Sequence, residues 1–250
     1  NAIFNDALSR KWTGQDHISI EIVSKESLIT FYLGCPQRIS SLVVKNLHAQ
    51  YPAAEIVYDK DYSIFPDEPL KVDIVNLGLV KKHIFPIKTY KYLEEDPLNA
   101  ISNSLSKLKK DESASIQLVI RPASPIWRVS AERAAYNIQH GKSRISYSTS
   151  PFIRISEGFF NFLGLAANSA QGKKQEDQHN EYYNPSSPMK QTPMQEAQIK
   201  MLGEKVSKLG FECQIRLVSV AKTDIEARQI NQNIASAFTQ FNSPDSNSLR

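Results

Sequence analysis

The chain has 250 residues, 41% of them hydrophobic and 22% charged, with a formal net charge of +4. That length buries a full core as one large domain or two small ones, and the composition is that of an ordinary globular protein. No run of 18 apolar residues occurs, which excludes a membrane-spanning helix, and the two cysteines are too few for a disulfide framework.

The opening residues NAIFNDALSRKW carry neither an initiator Met nor a signal-peptide pattern, so the chain is expected to be a piece of a longer protein. Residues 17–23 (HISIEIV) set Ile18, Ile20 and Ile22 against His17, Ser19 and Glu21, the period of a half-buried strand. After a four-residue polar turn, LITFYLG (28–34) places Ile29, Phe31 and Leu33 on one face, and the pair reads as a hairpin. Pro36 suits a helix's first turn, and Ile39, Leu42, Val43 and Leu47 give that helix one apolar stripe before Tyr51-Pro52. AEIVYD (54–59) reads as a further strand. LKVDIVNLGL and KKHIFPIKTY are β-rich but interrupted by Gly78 and Pro86, which predicts edge strands.

From residue 96 the signals are sharper. Asp96 can cap a helix with Pro97 at its first position, and Leu98, Ile101, Leu105 and Leu108 mark its buried stripe. SASIQLVIRPAS (113–124) predicts a strand with Ile116, Leu118 and Ile120 facing in, and Ser124-Pro125 starts a helix through about Ile138. The order then recurs. Thr192-Pro193 with Gln195 forms a capping box for a helix striped by Ile199, Leu202, Val206 and Leu209, which Gly210 can end in left-handed geometry. FECQIRLVSVAKTDIEARQI (211–230) reads as an alternating strand running into a capped helix, with Phe211, Cys213 and Ile215 on one face, the usual setting of a buried, inert thiol. Thr223 with Glu226 makes another capping box, and Ala227, Ile230, Ile234, Phe238 and Phe241 stripe the last helix.

The chain thus divides into a β-β-α-β half with irregular strands (1–92) and an α-β-α unit with an aromatic-rich helix (93–166). A polar linker or insertion (167–192) leads to a second α-β-α unit that completes the fold (193–250). The expected class is α+β, with ferredoxin-like (split βαβ) layers of helices on a mainly antiparallel sheet and two similar halves as one form of it. In the segment 151–166, Phe152, Phe159, Phe160 and Phe162 read as core, with a membrane or partner contact as the sharper alternative.

Catalytic motifs are missing. The histidines at 17, 48, 83, 140 and 179 have no zinc-ligand spacing, and there is no P-loop, no clustered glycine loop and no nucleophile elbow. Cys35 stands at a helix start, where the dipole could lower its pKa, but His48 is about three turns along the same helix and cannot serve it. No enzyme activity, cofactor or metal is expected of this segment. An uneven charge distribution is the one binding signal: Arg121, Arg128, Arg133, Lys142, Arg144 and Arg154 face a single acid, Glu132, for a net +5 over 121–154. Such a stretch is either a solvated face or a footprint for phosphate, as on DNA. Arg128 and Arg133 lie about 140° apart around a helix, which argues against one tight phosphate-binding face. Phe31 and Tyr32 on a sheet strand are where base-stacking domains carry aromatics, but their aromatic signature is absent.

Three stretches carry a resemblance. They are HISIEIVSKESLITFYLGCPQRISSLVVKNLHAQYPAAEI, FPIKTYKYLEEDPLNAISNSLSKLKKDESASIQLVIRPAS and GFECQIRLVSVAKTDIEARQINQNIASAFTQFNSPDSNSL. In this order they resemble the amino-terminal, non-motor region of large ATPases of conjugative DNA transfer and type IV secretion, the coupling-protein-like family. The resemblance implies a scaffold without catalytic residues, placed ahead of a RecA-like motor. It implies a cytoplasmic location at the inner face of the plasma membrane. The partners it implies are other subunits of the complex, with self-association, DNA and the membrane surface as open alternatives.

Overall fold

The computed structural model describes residues 16–59, 62–65, 70–93, 96–140 and 191–250. Its frame is an α+β layer: one five-stranded antiparallel sheet with helices packed on one face. In chain order the elements are β1 (Ile18–Lys25), β2 (Leu28–Gly34), α1 (Gln37–Gln50), β3 (Lys71–Leu77), α2 (Pro97–Ser106) and β4 (Ser113–Pro122). They continue with α3 (Ile126–Gln139), α4 (Pro193–Val206), β5 (Phe211–Ala221) and α5 (Asp224–Ala237), with short 3-10 turns at Tyr90–Tyr92 and Phe238–Phe241. The strands run β2-β1-β4-β5-β3 across the sheet.

Both β3 and β4 are antiparallel to β5, which lies between them, so they are parallel to each other. With α2 as the connection, β3-α2-β4 is a split βαβ unit. The two α-β-α units meet in this same sheet. Strand β4 pairs with β5, α2 shares a core with α5, and α3 shares another with α4. A two-fold axis between β4 and β5 would produce this exchange of partners, so the repeat legible in the sequence has a spatial counterpart.

Register assigns the faces. Ile22, Ile116, Leu217 and Val75 lie in one row, and that face meets α2 and α5 through Ile101, Leu105, Ala227, Ile230, Ile234 and Phe238. Polar side chains on this face reach the helices too. Ser24 Oγ donates to Leu105 O at 3.2 Å and Ser219 Oγ to Ala227 O at 2.6 Å. Asn231 Nδ2 on α5 donates to Asp73 Oδ2 on β3 at 2.8 Å. The caps form as their sequence patterns predict: Asp96 accepts from Leu98 N, and Thr192–Gln195 and Thr223–Glu226 are reciprocal boxes.

Several expectations need correction. Residues 54–59 join no sheet; Val57 and Tyr58 stand exposed, because an alternating pattern without a neighbouring edge has nothing to pair with. Of the region after residue 60, 71–77 is an edge strand as expected, whereas 81–89 turns and coils around Phe85. Leu98 faces outward at the first turn of α2 and Leu209 lies beyond α4, exposed. Gly210 does not adopt the left-handed conformation. Trp127 lies against it instead, and a Cβ there would come within 2.7 Å of the indole Cε2. Burial increases along β5, so Phe211 and Cys213 at its start are exposed and Leu217 to Ala221 are covered.

The sequence pattern did not reveal the role of the last nine residues. Leu249 bridges Leu79, Gly78 and Arg250 exchange backbone hydrogen bonds of 2.8 and 3.0 Å, and Asn247 N donates to Pro86 O at 3.1 Å. The tail therefore clamps the 78–86 segment beyond the end of β3.

Candidate functional site

Of the arginines singled out by charge, Arg121, Arg128 and Arg133 lie among the described residues. Arg121 on β4 is paired with Glu212 on β5, its Nη2 2.6 Å from Oε2. Arg128 Nη2 donates to Lys208 O at 3.0 Å, and its guanidinium lies 5.9 Å from the Trp127 ring centre. Arg133 is exposed on α3. One arginine is thus neutralised, one is tied to the end of α4, and one faces solvent. Lys142, Arg144 and Arg154, like Phe152, Phe159, Phe160 and Phe162, lie outside the described residues.

The sheet face opposite the helices carries a polar row: Tyr32, Glu21, Gln117, Arg216 and Asn76 in register across all five strands. Glu21 is buried beneath Tyr62, whose hydroxyl donates to Oε2 while its ring stacks on Tyr32 at 4.1 Å. Gln117 Nε2 donates to Oε1 at 3.0 Å, and Arg216 Nη1 donates to Gln117 Oε1 at 3.3 Å. Both carboxylate oxygens are engaged, so the row reads as a satisfied network that fixes strand register. The 62–64 segment is held over it by Lys25 Nζ donating to Ser63 O at 2.9 Å and by Ser113 Oγ donating to Ile64 O at 2.8 Å.

Neither thiol is activated. Desolvation raises the pKa of Cys35, and it raises that of Cys213 despite partial relief from Lys205. Among the described residues, no group of three or more His, Cys, Asp or Glu side chains could hold a metal ion. Among the described residues, Lys205 is the cation whose pKa is lowered. Burial lowers its pKa from 10.5 to about 8, partly opposed by Cys213, while Nζ donates to His83 O. Between those values the unfolded chain holds a proton that the folded chain has released, so stability rises with pH there, and the penalty is complete below about 8. The stability of wild type minus that of Lys205→Met, from urea unfolding, is expected to climb by on the order of 2 kcal/mol from pH 8 to 10.5. A flat difference across that window would remove the half-buried ammonium from the account.

The edge at β2 is a different surface. The β1–β2 turn is two residues, Glu26 and Ser27, both at positive φ (52° and 64°), the geometry that matches hairpin twist. It delivers a strand, LITFYLG, with no charge, no proline and no bulge in its pairing with β1. The expected apolar face of this hairpin is only part covered. Ile29 packs on the core, but Phe31 is 61% exposed and Leu33 37%, with Ile20 beside them at 38%. On the other face Leu28 is 67% exposed. Proteins blunt exposed sheet edges with lysine, proline or a bulge, and this edge has none of them. Alternation announced the strand but could not say that the helices stop short of it. Chemically the surface can do one thing well: add a strand and bury aromatic and aliphatic side chains.

Among the described residues, then, the helix-backed antiparallel sheet leaves the apolar strand β2 at its edge. The chain belongs to the family described as "Domain of unknown function (DUF8128)", whose model matches residues 5–248. No curated protein and no solved structure matches it. No helix among the described residues is long and apolar enough to cross a membrane.

Proposed function

We propose that this chain is a non-catalytic assembly domain of an ATPase of conjugative DNA transfer or type IV secretion. It would work in the cytoplasm at the inner face of the plasma membrane, and contacts with neighbouring subunits would hold a downstream motor in its machinery. The observation that carries the assembly reading is the β2 edge, which pairs with no further strand among the described residues and has Phe31 and Leu28 exposed on its two faces. An edge strand offers backbone donors and acceptors, and exposed aromatics concentrate contact energy. The three-part resemblance supplies the kind of machine. Phosphate binding by the basic stretch is the weaker reading, since Arg121 and Arg128 are already engaged within the fold.

The test is the coding sequence beyond Arg250. A P-loop motor in the same frame within the next few hundred codons is the expected result, and a stop codon directly after Arg250 would overturn the motor-linked reading.

A further inference from the structure

We infer that β2 pairs with the β2 strand of a second copy of this chain, antiparallel and about a two-fold axis at Phe31, fusing two five-stranded sheets into one. This rests on the assembly reading above and names its partner. The strand is self-complementary about that axis. Ile29 meets Leu33 and Phe31 meets Phe31 on the face that carries the helices; on the other, Thr30 meets Tyr32 and Leu28 meets Gly34. Apolar groups therefore oppose apolar groups along the whole helix-bearing face, which is how an isologous interface satisfies itself. Leu28 gains a neighbour without a side chain. Gly34 already has little room to spare, since a Cβ there would lie 2.5 Å from Ser19 Oγ.

Charge agrees with this pairing. The seven residues of β2 carry no charge, so self-pairing opposes no like charges. Beyond the strand ends, the same register sets Lys25 and Glu26 of each copy opposite the uncharged Gln37 and Pro36 of the other, so no like charges are brought face to face. A partner strand of other sequence would find no charge on β2 to select it. A second copy needs none, because register is set by the strand's own apolar pattern.

Sedimentation of the 250-residue chain tests the pairing. At about 200 µM the expected average mass approaches twice 28.2 kDa, falling toward the single-chain mass on dilution to a few micromolar, as a Kd in the tens of micromolar dictates. Phe31→Lys places a charge on the axis and is expected to sediment as a single chain throughout, with unchanged circular dichroism, because the side chain lies outside the core. In a Cys35→Ser, Cys213→Ser background, Phe31→Cys is expected to cross-link to itself on oxidation. Strand partners lie about 4.5–5.5 Å apart, within disulfide reach. Leu28→Cys, facing Gly34, is expected not to. A single-chain mass for wild type at about 200 µM, a dimer that survives Phe31→Lys, or equal cross-linking at Leu28 would each overturn the inference. The two readings fail separately. A monomer followed by a P-loop motor sinks the pairing alone, and a dimer followed by a stop codon sinks the motor alone.

Discussion

Asn247→Ala is expected to destabilise the fold by about 3–5 kcal/mol, against roughly 5–15 kcal/mol of total stability in a typical domain. The side chain is fully buried, and its amide is saturated from both ends. Oδ1 accepts from Lys81 N at 2.8 Å and from Ser248 N at 2.9 Å, while Nδ2 is shared among the carbonyls of Lys82, Phe85 and Lys81 at 3.1, 3.0 and 3.2 Å. Alanine cannot replace any of these bonds, and the backbone groups left behind are too enclosed to be resolvated freely. Each such orphan costs roughly 1–3 kcal/mol. Asn247→Asp is the sharper comparison: it keeps the two acceptor contacts, loses the donors and turns a carboxylate toward three carbonyl oxygens. It is expected to be at least as damaging as alanine at neutral pH. Urea unfolding of both variants provides the check, with the slope unchanged and the midpoint lowered. A loss under about 1 kcal/mol would mean that the tail clamp does not hold the 78–86 segment.

That clamp also shows where sequence reasoning reached its limit. The stretch Asn242 to Ser248 is polar and turn-rich and reads as a loop. Its role lies in contacts with a segment about 160 residues earlier in the chain, which no local pattern encodes. The capping boxes at Thr192 and Thr223 were legible because their partners sit three residues away. Strands were legible where alternation coincided with a paired position, as in β1 and β4, and failed at 54–59, where alternation found no edge. The same limit governs the candidate site. Alternation placed Ile29, Phe31 and Leu33 on one face, but coverage of a face is set by how far a helical layer extends. Here α2 reaches β2 and Ile29 packs on the core, while Phe31 stays outside. Charge counting could not show that Arg121 is paired for a related reason: Glu212, its partner, lies 91 residues away and directly across the β4–β5 ladder.

Leu217→Ala should fall in the upper half of the 2–5 kcal/mol range for buried leucine truncations. Leu217 is fully buried on β5, with Ile116 of β4 on one side and Val75 of β3 on the other. Above it lies the α5 stripe of Ala227, Ile230 and Ile234. Two features keep the resulting cavity open. Both neighbouring strands are fixed by their ladders, so the sheet cannot close sideways. Several nearby core positions, Ala114, Ala221 and Ala227, are too small to lean into the space. The lost methyl contacts are then not recovered, and the cavity adds to the transfer cost. Ile225→Ala on the first turn of α5 is the matched control. Its side chain is 82% exposed, and it is expected to change stability by no more than about 0.5 kcal/mol. Equal effects at the two positions in urea unfolding would mean that the register placing Leu217 beneath α5 is wrong. A large loss at Leu217 with none at Ile225 would locate the core between α5 and the β4–β5–β3 part of the sheet, away from the β2 edge. Variants at Phe31 could then be read as reports on association alone.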